Sequence, residues 1–201
     1  MKKAMLLVVS LMIGAVKAHA EPYFESNAGI FAGNNAAPFY GFRVGSKKQA
    51  GFQDWDYSLG YWSALGYDLS NKSKFRSDQV DLHTVSADLY RIFELSEKAE
   101  ARFGGGLGYT IPNLSGGIEE TMDNDLSLTF GFGIDQEIKP GLSFGAGLKL
   151  FLFRTDSLAT FRNSHEETLS NGQTVEVEDV SYKENSVDFN AVMVAFSIKW
   201  K

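Results

Sequence analysis

The stretch DLSLTFGFGID, Asp125 to Asp135, sets Leu126, Leu128, Phe130, Phe132 and Ile134 against Ser127, Thr129, Gly131, Gly133 and Asp135. Strict alternation marks a half-buried strand, because successive side chains point to opposite faces. The second face decides the fold. It carries glycine and hydroxyls where a water-facing strand would carry lysine and glutamate. Glycine weakens a strand by about 0.5–1 kcal/mol relative to alanine, so a solvated face gains little from it. A narrow barrel lumen, where inward faces crowd together, has a steric reason for it.

The same two faces recur along the chain. Leu142, Phe144, Ala146, Leu148, Leu150 and Leu152 oppose Ser143, Gly145, Gly147 and Lys149. Phe103, Leu107, Tyr109 and Ile111 oppose Arg102, Gly104, Gly106, Gly108 and Thr110. Tyr40, Phe42 and Val44 oppose Gly41, Arg43 and Gly45, and Val192, Val194, Phe196, Ile198 and Trp200 oppose Ala191, Met193, Ala195, Ser197 and Lys199. Trp55, Tyr57, Leu59, Tyr61, Leu65 and Tyr67 share the bulky face of another segment, with Trp62 on the small one. One face is large and apolar, with aromatics near the strand ends; the other is small, with isolated charges.

Eight such segments are expected, at 23–32, 39–45, 52–69, 80–95, 99–111, 126–138, 142–155 and 186–201. The connections at 46–51, 96–98 and 139–141 are short; those at 70–79, 112–125 and 156–185 are longer and polar. Short turns at one end and long loops at the other describe an up-and-down barrel set across a boundary. Within the last loop, Asn171-Gly172 is a type I′ turn signal between alternating residues, which predicts a further hairpin.

Two barrels fit alternation alone. A soluble calycin-like barrel binds an apolar ligand on an inward apolar face; a membrane barrel turns that face to lipid. The glycine-rich face favours the second. So do the segment lengths, most of which reach the about 9–11 tilted residues a membrane strand needs. The expected fold is all-β, an eight-stranded antiparallel up-and-down transmembrane β-barrel.

The ends and the composition agree. Residues 1–20 have a basic start at Lys2 and Lys3, an apolar run from Ala4 to Val16, and Ala18-His19-Ala20 as a cleavage site. They read as a secretory signal peptide, leaving 21–201 as the barrel domain. Lys2, Lys3 and Lys17 account for three of the 19 basic residues, so the remainder sets 16 bases against 25 acids, a net charge of −9. That balance argues against nucleic acid as a partner. With no cysteine there is no disulfide framework and no thiolate metal site.

The segments YFESNAGIFAG (23–33), RFGGGLGYTIP (102–112), LTFGFGIDQEIKPGLSFGAGLKLFL (128–152) and VMVAFSIKW (192–200) carry a resemblance. Together they resemble the eight-stranded outer-membrane β-barrels of diderm bacteria, the OmpA/OmpX/opacity-type superfamily, over essentially the whole mature chain. The resemblance implies residence in the outer membrane, contact with its lipid, and assembly by periplasmic chaperones and the barrel-assembly machinery. Trp200, Ile198, Phe196 and Val194 match the family's C-terminal assembly signal, an aromatic preceded by apolar residues at every second position; Lys201 follows where the family usually stops.

Charges on the small face are expected to form a lumen network that plugs the barrel: Glu25, Arg43, Asp56, Asp88, Glu100, Arg102, Asp135, Lys149 and Asp188. An isolated buried charge is very costly, so these must pair. Arg91 falls on the lipid face near a strand end, where it snorkels or a bulge shifts the register. His83 lies on the lipid face near a rim; Ser86 and Asp88 have the opposite parity and cannot meet it. His165 stands beside Glu166 and Glu167 in the last loop. GGGLG at 104–108 lies inside a strand with no helix after it, so it is not a phosphate loop. No catalytic, cofactor or metal site is expected.

The expected function is a non-enzymatic outer-membrane barrel with a structural and surface-contact role, its acidic loops meeting an extracellular ligand. The alternatives are a lipid-modifying outer-membrane enzyme, an OmpW-like small-solute channel and the soluble calycin-like barrel.

Overall fold

A computed structural model describes residues 21–33, 36–50, 53–68, 79–115, 120–168, 170 and 173–201. The expected signal peptide, the loop at 70–78 and the turn residues Asn171 and Gly172 lie outside the described residues. The strands are β1 (Glu21–Ala32), β2 (Ala36–Ala50), β3 (Gln53–Asp68), β4 (Gln79–Ser96), β5 (Ala99–Ser115), β6 (Glu120–Met122), β7 (Asp125–Lys139), β8 (Leu142–Thr168) and β9 (Thr174–Trp200).

Eight of them close an antiparallel ring in the order β1-β2-β3-β4-β5-β7-β8-β9, and β9 pairs back onto β1 from Phe24↔Trp200 to Ala32↔Val192. Closure gives every strand of the ring a neighbour on both sides, which satisfies backbone groups that hydrocarbon cannot. The start of β1 at Glu21, the end of β9 at Trp200 and the tight turns after β4 and β7 lie at one end, here called the lower end. Gly141 supplies the left-handed backbone, φ 78°, that the turn into β8 requires. Neighbouring turns are tied together: Glu137 N–H donates to Lys98 O at 2.7 Å and Lys201 N–H to Gly141 O at 2.9 Å.

The side chains divide as the alternation predicts. Leu128, Phe130, Leu148 and Leu150 point away from the axis and are 43–52% exposed. With Phe24, Phe42, Leu89, Leu107 and Phe196, also exposed, they form an apolar belt that runs through the ring. A soluble protein does not leave such a belt in water; its solvent is the acyl chains of a bilayer. An inward apolar face around a ligand, the calycin-like arrangement, does not fit. Ser127, Thr129, Asp135 and Ser143 are buried on the axis side.

Two expectations fail at the upper end. The segment 156–185 is not a loop: its residues pair as the expected hairpin on either side of 171–172, but as a continuation of the barrel strands. It continues the ladder: β8 and β9 pair without a register shift from Leu142↔Trp200 to Thr168↔Thr174. The loop expected at 112–125 is likewise shorter, because β5 runs to Ser115 and β6 pairs with β8 from Glu120↔Ala159 to Met122↔Ser157.

Tyr67, expected on the lipid face, is fully buried inside. A bulge between Ala64 and Tyr67 adds one residue to β3 and reverses its parity. Gly66 takes the left-handed conformation there, φ 67°, and its N–H donates to Asp81 Oδ1 at 2.7 Å. Arg91 stays on the outer face near the lower end, its guanidinium 4.8 Å from the Phe93 ring centroid.

Candidate functional site

The lower lumen is built from one or two inward positions on each ring strand. Glu25 comes from β1, Arg43 from β2, Asp56 from β3, Asp88 from β4, Arg102 from β5, Asp135 from β7, Lys149 from β8 and Lys199 from β9. Period-two geometry aims all eight at the axis, and closure brings together residues far apart in the chain.

Glu25 is the hub. Its Oε2 accepts from Arg43 Nη2 at 2.7 Å and from Arg102 Nη1 at 2.9 Å, and its Oε1 accepts from Arg102 Nη2 at 3.2 Å. Lys199 Nζ lies 3.9 Å from the same carboxylate and donates to Asp135 Oδ2 at 2.5 Å. Asp135 Oδ2 also stands 3.5 Å from Arg102, and Asp56 Oδ2 stands 3.5 Å from Arg43. Tyr23 donates its hydroxyl hydrogen bond to Asp56. Two rings complete the packing: Tyr23 lies beneath Arg43 and Lys199, and Tyr90 meets Arg43, Arg102 and Lys149 at 5.6–6.0 Å. Ser86 donates to Asp88 at 3.2 Å. Glu25, Asp56, Asp88 and Asp135 thus face Arg43, Arg102, Lys149 and Lys199, and the layer is neutral.

Of the expected network, Arg43, Asp56, Asp88, Arg102, Asp135 and Lys149 gather here with Glu25. Glu100 sits at the lower mouth, half-buried, and pairs with Lys47. Asp188 does not belong to the lumen. Val187, Phe189, Ala191 and Met193 of β9 point inward, so the intervening Asp188 points out. It lies 3.8 Å from Arg154, with both side chains more than 60% exposed. Lys199, Tyr23 and Tyr90 stand outside the expected network, although the alternation of β9 already sets Lys199 on the small face beside Ser197.

Above the charges the lumen changes character. Phe31, Trp62, Tyr67, Phe151, Phe153 and Phe189 stack into one buried cluster with Val80, Leu82 and Met193. Trp62 meets Phe151 edge-on at 5.0 Å, Phe31 meets Tyr67 edge-on at 5.4 Å, and Phe153 lies 5.5 Å from Phe189. On the β4–β5–β7 wall Thr84, Thr110 and Ser127 form a hydroxyl chain at 2.8 and 2.9 Å. Between the two layers is a cavity of about 40 Å³ bordered by Tyr90, Lys149, Ser197 and Trp62. It holds a few waters at most, since one needs about 10–15 Å³ of such space.

On the outer wall His83 meets a serine after all, though not Ser86. Ser63 lies directly across the β3–β4 ladder, its Oγ 3.0 Å from His83 Nδ1, and Tyr61 Oη is 2.9 Å from the same nitrogen. Ser63 is fully buried. His165, on the β8–β9 extension, stands 3.4 Å from Asp179.

Two solved structures align over nearly their whole length. Neisserial surface protein A aligns over 90% of this chain and 98% of its own, at 12% identity and a TM-score of 0.55. A major outer membrane protein from Thermus thermophilus aligns over 90% and 98%, at 16% identity and a TM-score of 0.51. The chain has the fold of the eight-stranded outer-membrane β-barrels. At these identities the likeness establishes the barrel's architecture. No protein-family model matches the chain. No curated protein matches it in sequence.

The outer-membrane barrel fold accounts for both faces of the site. The belt residues of β9, Val194, Phe196 and Trp200, are exposed, and Phe24 of β1 packs 5.7 Å from Trp200 across the closing seam.

Proposed function

We propose that this chain is an integral outer-membrane barrel with a structural and surface-contact role, that it is not a general diffusion pore, and that it catalyses no reaction. In this reading the signal peptide at 1–20 is cleaved on export. Periplasmic chaperones and the barrel-assembly machinery recognise the Val194, Phe196, Ile198 and Trp200 row. The lower end faces the periplasm, since short turns lie on that side of such barrels and longer loops outside.

One observation carries the reading. The lumen is filled by two successive layers, a neutral ion network and an aromatic cluster, while β8 and β9 continue above the ring. A filled lumen leaves no continuous aqueous path, and a rigid frame that holds an extended segment outside is how barrels make contacts. The aromatic filling also weighs against an OmpW-like channel, whose apolar lumen must be open.

The test combines two measurements on the folded protein. Heat-modifiable gel mobility from the detergent-extracted membrane fraction should report the barrel, and planar bilayers should show no stable conductance step. A steady step of porin size would overturn the plug. Loss of adhesion or of envelope integrity in cells lacking the protein is expected; neither changing would overturn the surface-contact role.

The Ser63–His83 contact is the observation that favours a second reading, a lipid-modifying enzyme. A fully buried serine cannot reach an ester carbonyl, and the histidine nitrogen it faces is shared with Tyr61. Ester hydrolysis in mixed lipid micelles that vanished with Ser63→Ala would bring this reading forward.

A further inference from the structure

Arg43, Arg102, Lys149 and Lys199 face the lumen among acids; Arg91 of β4 and Lys48 of β2 face the other way. Arg91 lies exposed on the outer wall between Leu89 above and Phe93 and Leu95 below, with Phe103 of β5 directly across the ladder. Those four side chains are apolar and 41–61% exposed. Among the described residues no carboxylate pairs with Arg91 and no group accepts its hydrogen bonds; its guanidinium rests 4.8 Å from the Phe93 ring centroid. Phe93 is one outward position nearer the turn after β4, so the side chain reaches toward the lower rim.

A second ladder brings the other cation alongside. Trp55 of β3 is directly opposite Arg91, and Lys48 is directly opposite Trp55. A cation, an indole and a cation thus stand in one row on the outer wall. Strands about 4.8 Å apart place the two basic residues about 10 Å apart along that row, within reach of a single headgroup for side chains of this length. The row stands at the rim, since β2 and β3 pair only as far as Ala50↔Gln53. Lys48 likewise has no acidic partner among the described residues, and Gln49 to Phe52 contains no acid. Asp56, the sequence neighbour of Trp55, is fully buried in the lumen beside Arg43.

A cation on the lipid face is costly in hydrocarbon and becomes tolerable at the headgroup level, where tryptophan also collects. Two cations with no acid between them also repel each other. The wall supplies no anion to relieve them, whereas lipid phosphate is an anion found at that depth. A zwitterionic headgroup brings its own ammonium to the second cation; an anionic one does not. Arginine adds a planar fork that matches two phosphate oxygens.

We propose that Lys48, Trp55 and Arg91 form a site for the phosphodiester of an anionic glycerophospholipid in the leaflet at the lower, periplasmic end of the barrel. Arg91 donates to two phosphate oxygens, Lys48 supplies the second charge, and the Trp55 indole packs against the glycerol. The proposal rests on the membrane-barrel reading and its orientation.

The experiment counts lipids bound to the folded protein in nonionic detergent by native mass spectrometry, with dioleoylphosphatidylglycerol or dioleoylphosphatidylethanolamine added. Phosphatidylglycerol should bind at least fivefold tighter. Arg91→Gln with Lys48→Gln should bring the two lipids level while keeping heat-modifiable mobility; should it not fold, Arg91→Gln alone should lose most of the preference. Lys98→Gln with Lys139→Gln removes the same charge from turns at the same end and should leave the preference unchanged. Arg91→Lys keeps the charge without the fork and should bind several-fold more weakly than the native chain.

Equal binding of the two lipids, an undiminished preference without Lys48 and Arg91, or an equal loss in the turn-lysine variant would overturn the proposal. Orientation is read separately. The chain has no cysteine, so Lys98→Cys should react with a membrane-impermeant maleimide only after the outer membrane is opened. Reaction in intact cells would overturn the orientation, and with it the leaflet, whatever the preference measured in detergent. Loss of that preference with Lys98→Cys protected sinks the lipid site and leaves the orientation standing.

Discussion

Below the Trp62 ring the lumen is closed by four acids and four bases, and above it by Phe31, Phe151, Phe153, Phe189 and Tyr67. Both halves fill the same narrow cylinder, but the forces differ. The charged half depends on stoichiometry: most of its ions are buried, so the cost of each is offset only by the opposite charges around it. The aromatic half depends on volume, and what it loses on substitution scales with the space left behind. A barrel of this width can therefore be filled by balance or by bulk, and the described residues use both in series.

The sharpest way to break the comparison is Glu25→Ala. It removes the carboxylate that meets Arg43 at 2.7 Å and Arg102 at 2.9 Å, and it leaves the lower layer with one positive charge in excess. The expected loss is about 5 kcal/mol, the top of the range for breaking a buried pair, because several cations are stranded at once. Urea unfolding in lipid vesicles measures it. A loss under about 1 kcal/mol would mean that water reaches the layer and screens its charges from one another.

Phe151→Ala tests the upper half. Its side chain is fully buried and touches the rings of Phe31, Trp62 and Phe153. A loss of about 3 kcal/mol is expected from the cavity it leaves. Phe151→Leu, which conserves more volume, should recover over half of that. Bilayer conductance should stay absent in both variants, since the ion layer below still closes the lumen; a new conductance step would show that the aromatic half is the sole barrier.

How far this arrangement was legible in the sequence follows from its period. On β7 and β8 the alternation is unbroken, so Leu128 and Leu150 on one side and Asp135 and Lys149 on the other could be assigned directly. Followed further along β8, the same parity leads to Phe151 and Phe153 and so to the aromatic layer, although nothing local says that these rings meet. Asp188 was misplaced against the parity that Val192 and Val194 already set. Tyr67 was misplaced for a better reason: the bulge at Gly66 reverses β3, and although a strand glycine often marks a bulge, Gly66 is one of many glycines on the small face and does not stand out among them. The Glu25–Arg102 pair spans 77 residues and exists only because the ring closes, which no local pattern encodes. Above the belt both faces of β8 and β9 meet water, the period-two signal disappears, and a long ladder reads as a loop.

Gly66→Ala makes that bulge measurable. The nearest atom to an added Cβ is Gln79 Oε1 at 3.8 Å, so there is room, and the cost is the left-handed backbone alone. About 1 kcal/mol is expected. A neutral result would mean that β3 can drop the bulge; Tyr67 would then return to the outer face, and the upper layer would lose a ring.

The smallest effect sharpens the contrast between two ion pairs of the same chemistry. Arg43–Glu25 is separated by 2.7 Å with both side chains about 3% exposed, whereas Arg154–Asp188 is separated by 3.8 Å at 72% and 61% exposure. Water screens the outer pair and competes for both partners, so its contribution is small whatever its geometry. Arg154 also donates to Ser186 at 2.8 Å, a contact that water can replace. Arg154→Gln should therefore shift the urea midpoint by no more than corresponds to about 0.5 kcal/mol. A shift several times larger would couple the projecting hairpin to the stability of the ring, and the upper extension would then have to be treated as part of the barrel's fold instead of as a segment the barrel carries.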